Sequence, residues 1–150
     1  MIGISYKDKD NKYRYKCWVA EDLSSQSELK IVDEFVQFIR KITKNRPRFF
    51  HWSHAEKTMI MQANKRHNMR WSEQIMNSTW IDFCKVFKNE PIVVKGAKTF
   101  SLKDIGNAMY SHGLVDICWP TDGPSDGLQA MFDAINYYNS KKRDESVMET

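Results

Sequence analysis

The stretch that decides the fold is Arg48-Phe49-Phe50-His51-Trp52-Ser53-His54-Ala55-Glu56. Its first part, Arg48 to Ser53, is short and aromatic, which is typical of a β-strand, and we expect this strand to be interior. A helix predicted from about His54 to His67 follows, with Glu56 in its first turn. Because functional groups of α/β proteins gather at the carboxyl ends of strands, this junction predicts a functional edge.

Upstream of this junction, the chain predicts a hairpin and then a long helix. Ile2–Tyr6 and Tyr13–Val19 alternate as strands do, and the polar residues between them predict an antiparallel turn. Ser24–Glu28 supplies N-cap candidates and an early acid before an apolar face with helical spacing. We expect this helix to end near Lys44-Asn45, ahead of Pro47.

Downstream of the junction, the pattern predicts mainly helix. Residues 71–87 are predicted as helical, with a break expected near Asn77-Ser78-Thr79. Residues 92–94 predict a short strand, and residues 101–113 predict a helix that opens at a serine cap and stops at a glycine. A last helix is predicted over residues 128–138.

Length and composition indicate one folded domain. The chain has 150 residues, 41% apolar and 13% aromatic, which is enough for a single buried core. We therefore predict one domain over residues 1–140, with residues 119–127 as a loop, and a charged tail over residues 141–150. The formal charge of +4 permits a nucleic-acid partner without requiring one.

The sequence also predicts an intracellular protein, cytoplasmic or nuclear. No apolar run approaches the ~18–20 residues that span a bilayer, so no membrane partner is expected. The N-terminus shows no secretory pattern. Cys17, Cys84 and Cys118 are widely spaced, which favours buried reduced thiols over a metal cluster.

The order of the motifs resembles a ribonuclease-H-like nuclease domain of the DEDD 3′–5′ exonuclease superfamily. The residues that carry the resemblance are the aromatic strand, His51 and Glu56, then Trp80-Ile81-Asp82-Phe83 and Ser101-Leu102-Lys103-Asp104-Ile105. The resemblance implies an α/β fold with a ribonuclease-H-like mixed sheet flanked by helices, opening with the antiparallel hairpin. It also implies a nucleic-acid partner, DNA or RNA, and hydrolysis with Mg²⁺ or Mn²⁺ as cofactor.

The resemblance implies roles for three side chains. Glu56 takes the position of the second acidic motif, which makes it the candidate catalytic residue and metal ligand; the alternative is a first-turn Glu that favours the helix dipole. His51 and Asp82 take site-organising positions. Asp82 is set among bulky apolar neighbours, so we expect it to be partly buried and hydrogen-bonded.

Basic residues supply candidate nucleic-acid contacts. Lys103, Lys65, Arg66 and Arg70 are the candidates for phosphate contacts, although Lys103 could face solvent instead. The cluster over residues 12–16 interleaves basic and aromatic side chains and could stack bases. For that cluster we prefer the alternative, a solvated hairpin face with cross-strand aromatic pairs.

Two acidic motifs of the family have no counterpart at their expected places. No Asp-x-Glu precedes the hairpin, and no Asp lies three or four residues beyond Tyr137 or Tyr138. Asp126 and Asp133 are the remaining candidates to complete a metal site. A zinc site at His51 and His54 is disfavoured, because no Cys or further His stands at ligand spacing.

The functional hypothesis is therefore a nuclease-type domain of 3′–5′ exonuclease ancestry that covers the middle of the family's fold and cleaves little by itself. Its partners are nucleic acid and either a further protein or the missing flanking segments. The alternatives are a non-catalytic nucleic-acid-binding or protein-interaction module on a degenerate nuclease fold, and an unrelated α/β domain. Acidic motifs encoded on either side of the chain would favour the enzyme.

Overall fold

The computed structural model describes residues 1–43, 46–118 and 127–140, with only the backbone described at residues 127 and 128. These residues have a mixed α/β structure with six helices and four strands: β1 (Ile2–Lys7), β2 (Tyr13–Trp18), α1 (Ser25–Thr43), β3 (Arg48–His51), α2 (Ala55–Arg66), α3 (Ser72–Met76), β4 (Thr79–Asp82), α4 (Phe83–Asn89), α5 (Leu102–Ser111) and α6 (Gly127–Asn139). The chain divides into two compact units, Met1–Pro91 and Ile92–Thr150. The single domain predicted over residues 1–140 stays a prediction.

The predicted antiparallel hairpin is confirmed. β1 and β2 pair from Ile2 opposite Trp18 to Lys7 opposite Tyr13. The carboxylate of Asp8 organises the turn, because it accepts hydrogen bonds from the backbone N–H groups of residues 10 and 12, at 3.0 and 2.9 Å, and from Arg14 Nε at 2.8 Å.

Helix α1 supplies the centre of the core of the first unit, and the long amphipathic helix predicted there is confirmed. Its buried side chains are Ile31, Val32, Phe35, Val36 and Ile39. The Phe35 ring packs edge-on against Trp18 of β2, with centroids 5.5 Å apart, and 6.0 Å from Phe49 of β3. The helix therefore packs against both the hairpin and β3.

The single mixed sheet predicted from the sequence is not formed by the described residues. They form two separate two-stranded sheets, the antiparallel hairpin and a parallel pair of β3 and β4. Both sheets pack on α1 through aromatic side chains. In the described residues each strand is paired with one other strand. Within the described ranges β3 therefore has one neighbouring strand, so the prediction of an interior strand is wrong there.

The helical prediction over residues 71–87 is right for α3 and for most of α4, but wrong for the residues between them, which include β4. α3 ends at the expected break, where the Asn77 N–H bonds to the Glu73 carbonyl and Ser78 Oγ donates to the Gln74 carbonyl. The next residues are β-branched or aromatic and pair with β3. The strand predicted over residues 92–94 is absent too, and Val93 is 80% exposed there.

Two carboxylates of α1 hold the segment that joins α2 to α3, and we call these contacts the α1 clamp. Glu28 bonds to Arg66 and to His67 Nε2, the latter at 2.9 Å. Asp33 accepts two hydrogen bonds from Arg70, at 3.0 and 2.9 Å, and one from the Trp71 indole at 2.6 Å. The Arg70 guanidinium, and after it the Trp71 indole, hold the pKa of Asp33 below its usual value although burial acts in the opposite direction.

In the second unit the helix predicted over residues 101–113 is confirmed as α5. Ser101 caps it by accepting a hydrogen bond from the Asp104 N–H at 3.1 Å. At its end Gly113 has a φ of 65°, and the bonds from Gly113 N–H to the Tyr110 carbonyl and from Leu114 N–H to the Met109 carbonyl satisfy the last carbonyls.

The last predicted helix is confirmed as α6, which begins at Gly127 and ends at Asn139. The greater part of the predicted loop, residues 119–126, and the predicted charged tail lie outside the described residues. No helix in the described ranges combines the length and the apolar character needed to cross a membrane.

We predict that Phe35→Ala lowers the free energy of unfolding by about 3–5 kcal/mol, because it removes the ring that contacts both sheets. Phe50→Ala is the matched control: Phe50 is 60% exposed and stacks on Phe83, so its loss should cost under about 1.5 kcal/mol. Urea unfolding followed by circular dichroism measures both values. Equal losses in the two variants would contradict the role given to Phe35.

We further predict that acid weakens the α1 clamp. Because the pKa of Asp33 is lowered in the folded protein, its ionised form stabilises the fold above the unfolded pKa, and this contribution is lost as the pH falls through the folded pKa. Asp33→Asn should therefore be less stable at neutral pH and show a flatter fall in stability below pH ~4. Glu34→Gln, at an exposed carboxylate on the same helix, is the control for removal of a charge from α1 and should lose less stability at neutral pH.

Candidate active site

The candidate site lies at the carboxyl ends of the parallel strands β3 and β4. His51 and Asp82 are register partners at these ends, and helices α2 and α4 begin just beyond them. Because the two strands are parallel, the turns that follow them meet at the same edge of the sheet. The parallel pair of strands thus brings His51, Asp82 and Glu56 to the edge that was predicted.

Asp82 is the acid that joins the two strand ends. Its Oδ1 accepts hydrogen bonds from the Ser53 N–H at 2.8 Å and from the Lys85 N–H at 3.3 Å, and so caps helix α4. Burial raises the pKa of Asp82, but these hydrogen bonds and the nearby His51 outweigh it and bring the pKa below its usual value. Ser53 has a φ of 70°, and its bond to Asp82 holds this unusual turn conformation.

His51 and Glu56 form the second contact of the site. The His51 side chain is only 6% exposed, and its Nδ1 makes no hydrogen bond. The nearest carboxylate oxygen is Glu56 Oε2, at 3.8 Å from this nitrogen, and the Glu56 side chain is 56% exposed. Glu56 lies in the first turn of α2, so it also interacts favourably with the helix dipole, as the alternative interpretation expects.

A cavity of about 290 Å³ opens beside these groups. The ionisable side chains that line it are those of His51, His54, Asp82 and two lysines, Lys57 and Lys85, and Glu56 is not among them. The sequence analysis missed both lysines. The signal that could have found them is position, because each lies in the first turn of a helix that begins at this edge.

None of the four basic residues predicted to bind nucleic acid is among the residues that line the cavity. Arg66 and Arg70 are bound to the carboxylates of α1, and Lys65 is exposed on α2 without lining the cavity. Lys103 is half-buried on α5 in the second unit. Their contacts with nucleic acid stay predictions, and for the two arginines such contacts would compete with the clamp.

The described residues contain no group of three or more His, Cys, Asp or Glu side chains placed to hold a metal ion. His54 Nδ1 lies 3.1 Å from Ser53 Oγ. Asp133 accepts a hydrogen bond from Gln129 on α6 in the second unit, and Asp126 lies outside the described residues. Of the three thiols predicted to be buried, Cys84 is buried but Cys118 is exposed.

No protein-family model, curated protein or solved structure matches the chain. The function proposed below therefore rests on the geometry of this edge and on the resemblance of its motifs.

We predict that Asp82→Ala destabilises the protein by about 1–3 kcal/mol, because it removes the cap of α4 and the acceptor of the Ser53 N–H. Asp82→Asn keeps an oxygen at Oδ1 and should cost clearly less. Urea unfolding at neutral pH compares the two variants. An Ala variant as stable as wild type would show that the two strand ends are held together by other contacts.

Proposed function

We propose that the chain is a ribonuclease-H-like, nuclease-type domain of 3′–5′ exonuclease ancestry that acts on nucleic acid. One observation carries this proposal: Glu56, His51 and Asp82 gather at the carboxyl edge of the parallel strands, and Lys57 and Lys85 line the cavity beside them. Glu56 is also the residue that the resemblance puts at the second acidic motif.

The charges at this edge suit a phosphate backbone. Lys57 and Lys85 lie in the first turns of α2 and α4 and line the same cavity, so an anionic strand that passes there lies next to two cations. The carboxylate of Glu56 alone would repel phosphate. Mg²⁺ or Mn²⁺ supplies the positive charge that allows a carboxylate and a phosphate to approach each other.

The described donors do not make a complete two-metal site. Glu56 is an exposed carboxylate that can bind a cation, but Asp82 Oδ1 is already occupied by two backbone N–H groups. Mg²⁺ keeps its water unless several carboxylates compete for it. We therefore derive no catalytic step and propose that the 150-residue chain binds nucleic acid, binds the metal weakly through Glu56 and cleaves negligibly.

The second candidate is a nucleic-acid-binding module without catalysis on the same degenerate fold. It is favoured by the composition of the cavity, where two lysines accompany the single carboxylate of Asp82, itself engaged as a helix cap. The two candidates share the binding surface and differ in the role of Glu56. Measuring whether Mn²⁺ binding depends on Glu56 separates the two candidates.

The first experiment measures binding of a fluorescein-labelled oligonucleotide by anisotropy over a range of salt concentrations. We expect Lys57→Gln with Lys85→Gln to weaken binding severalfold and to flatten the salt dependence by about 0.7 per lysine on single strands. Lys41→Gln is the control, because Lys41 is exposed at the end of α1 and does not line the cavity. Equal effects of all three substitutions would contradict a binding site at this edge.

The second experiment addresses the metal. The wild-type chain should bind Mn²⁺ weakly, and Glu56→Gln should abolish this binding. Glu90→Gln, at the far end of α4, should bind Mn²⁺ as the wild type does. End-labelled DNA and RNA should remain uncut. Mn²⁺-dependent cleavage that disappears in Glu56→Gln would establish the enzyme and show that further carboxylates complete its site; unchanged Mn²⁺ affinity in that variant would leave only the binding module.

A further inference from the structure

The outer face of the hairpin presents two tyrosines to solvent. The side chains that share this face are those of Ser5 and Lys7 on β1 and of Tyr13, Tyr15 and Cys17 on β2. The opposite face packs on α1 through residues such as Ile2 and Trp18. Tyr13 and Tyr15 are 77% and 67% exposed, so the described residues leave their rings largely uncovered.

The preferred interpretation of this face is a solvated hairpin face with cross-strand aromatic pairs: the face is exposed to solvent as expected, but the aromatic pairs are absent from it. Tyr13 lies opposite Lys7 and Tyr15 lies opposite Ser5, so neither ring has an aromatic partner across the hairpin. The Lys7 ammonium lies 4.9 Å from the centroid of the Tyr13 ring. Two large rings are therefore exposed on this face without a cross-strand aromatic partner. The Lys7 ammonium lies beside one of them, the ring of Tyr13.

The Tyr15 ring is held in place by its neighbours. It reaches diagonally over Gly3, where a Cβ atom would overlap the Tyr15 hydroxyl and lie 3.1 Å from Cζ. Burial of the hydroxyl, and after it a hydrogen bond with the Cys17 thiol, raise the pKa of Tyr15. A ring whose rotamers are limited by such contacts loses less conformational entropy when a ligand packs on it.

The charge around the two rings is positive. Residues 1–18 carry five basic and two acidic side chains. One of the acids, Asp8, is bound to Arg14 and to the backbone of the turn. Lys9 and Lys12 are exposed in the turn next to Tyr13. A ligand of this face is therefore expected to combine flat apolar groups with negative charge.

We propose that this outer face binds single-stranded nucleic acid, with one base on Tyr13, another on Tyr15, and phosphates near Lys7, Lys9 and Lys12. Two residues apart on one strand, the Cα atoms of the two tyrosines are about 6.7 Å from each other, roughly twice the 3.4 Å rise of stacked bases. That spacing fits the splayed bases of an extended single strand. The bases of a duplex are not accessible to the two rings. The inference rests on the proposed function and adds a second contact outside the cavity.

The test compares labelled oligothymidylate and oligouridylate with an abasic oligomer of the same length. Tyr13→Ala with Tyr15→Ala should weaken binding of both base-containing strands, roughly tenfold or more for each ring lost, and leave the abasic oligomer unchanged. Tyr13→Phe with Tyr15→Phe keeps both rings and should bind as wild type. Tyr110→Ala, at a half-exposed tyrosine of α5, is the control for loss of an aromatic side chain.

A crosslinking readout is independent of affinity and of stability. An oligonucleotide that carries 5-iodouracil should crosslink under ultraviolet light to Tyr13 or Tyr15, as identified by mass spectrometry. Crosslinks confined to other residues would overturn the inference, as would equal losses on base-containing and abasic strands or equal affinity for duplex and single strand. If binding depends on Lys57 and Lys85 but not on the tyrosines, the proposed function survives and this inference fails. A wild-type chain that binds no single strand overturns both.

Discussion

The carboxylate of Asp82 ties the end of β3 to the start of α4, and the geometry of the candidate site depends on this contact. One oxygen accepts the N–H of Ser53 beyond β3 and the N–H of Lys85 in the first turn of α4. The bond to Ser53 fixes the turn that leads into α2, and therefore the position of Glu56 beside His51. An acid suits this place because an ionised carboxylate accepts hydrogen bonds more strongly than a neutral group does.

The cations that hold the fold together and the cations that line the cavity are different residues. Arg66 and Arg70 are bound by the carboxylates of α1, so they hold the segment between α2 and α3 on the core. Lys57 and Lys85 take no part in the α1 clamp and instead line the cavity. The division follows the chemistry of the side chains, since a guanidinium binds a carboxylate through two parallel hydrogen bonds and an ammonium acts as a point charge.

The sequence predicts those parts of the fold whose signals are local. The hairpin, α1 and the capped helix α5 each carry their own alternation, spacing or cap residues, and each is confirmed. Strand β4 was missed because a short apolar run does not distinguish strand from helix, and its partner β3 lies about thirty residues away in the chain. The edge of the site was predicted from the position of Glu56, whereas Lys57 and Lys85 became candidates only when the parallel pairing brought their helices together.

The most direct test of this account is where Mn²⁺ binds on the protein in solution. In a two-dimensional amide NMR spectrum, substoichiometric Mn²⁺ should broaden the signals of residues 51–58 and 82–86 before those of α1, and Glu56→Gln should reduce that broadening. Broadening centred on other carboxylates, or the same pattern in Glu56→Gln as in wild type, would contradict the placement of the functional site at the carboxyl edge of β3 and β4.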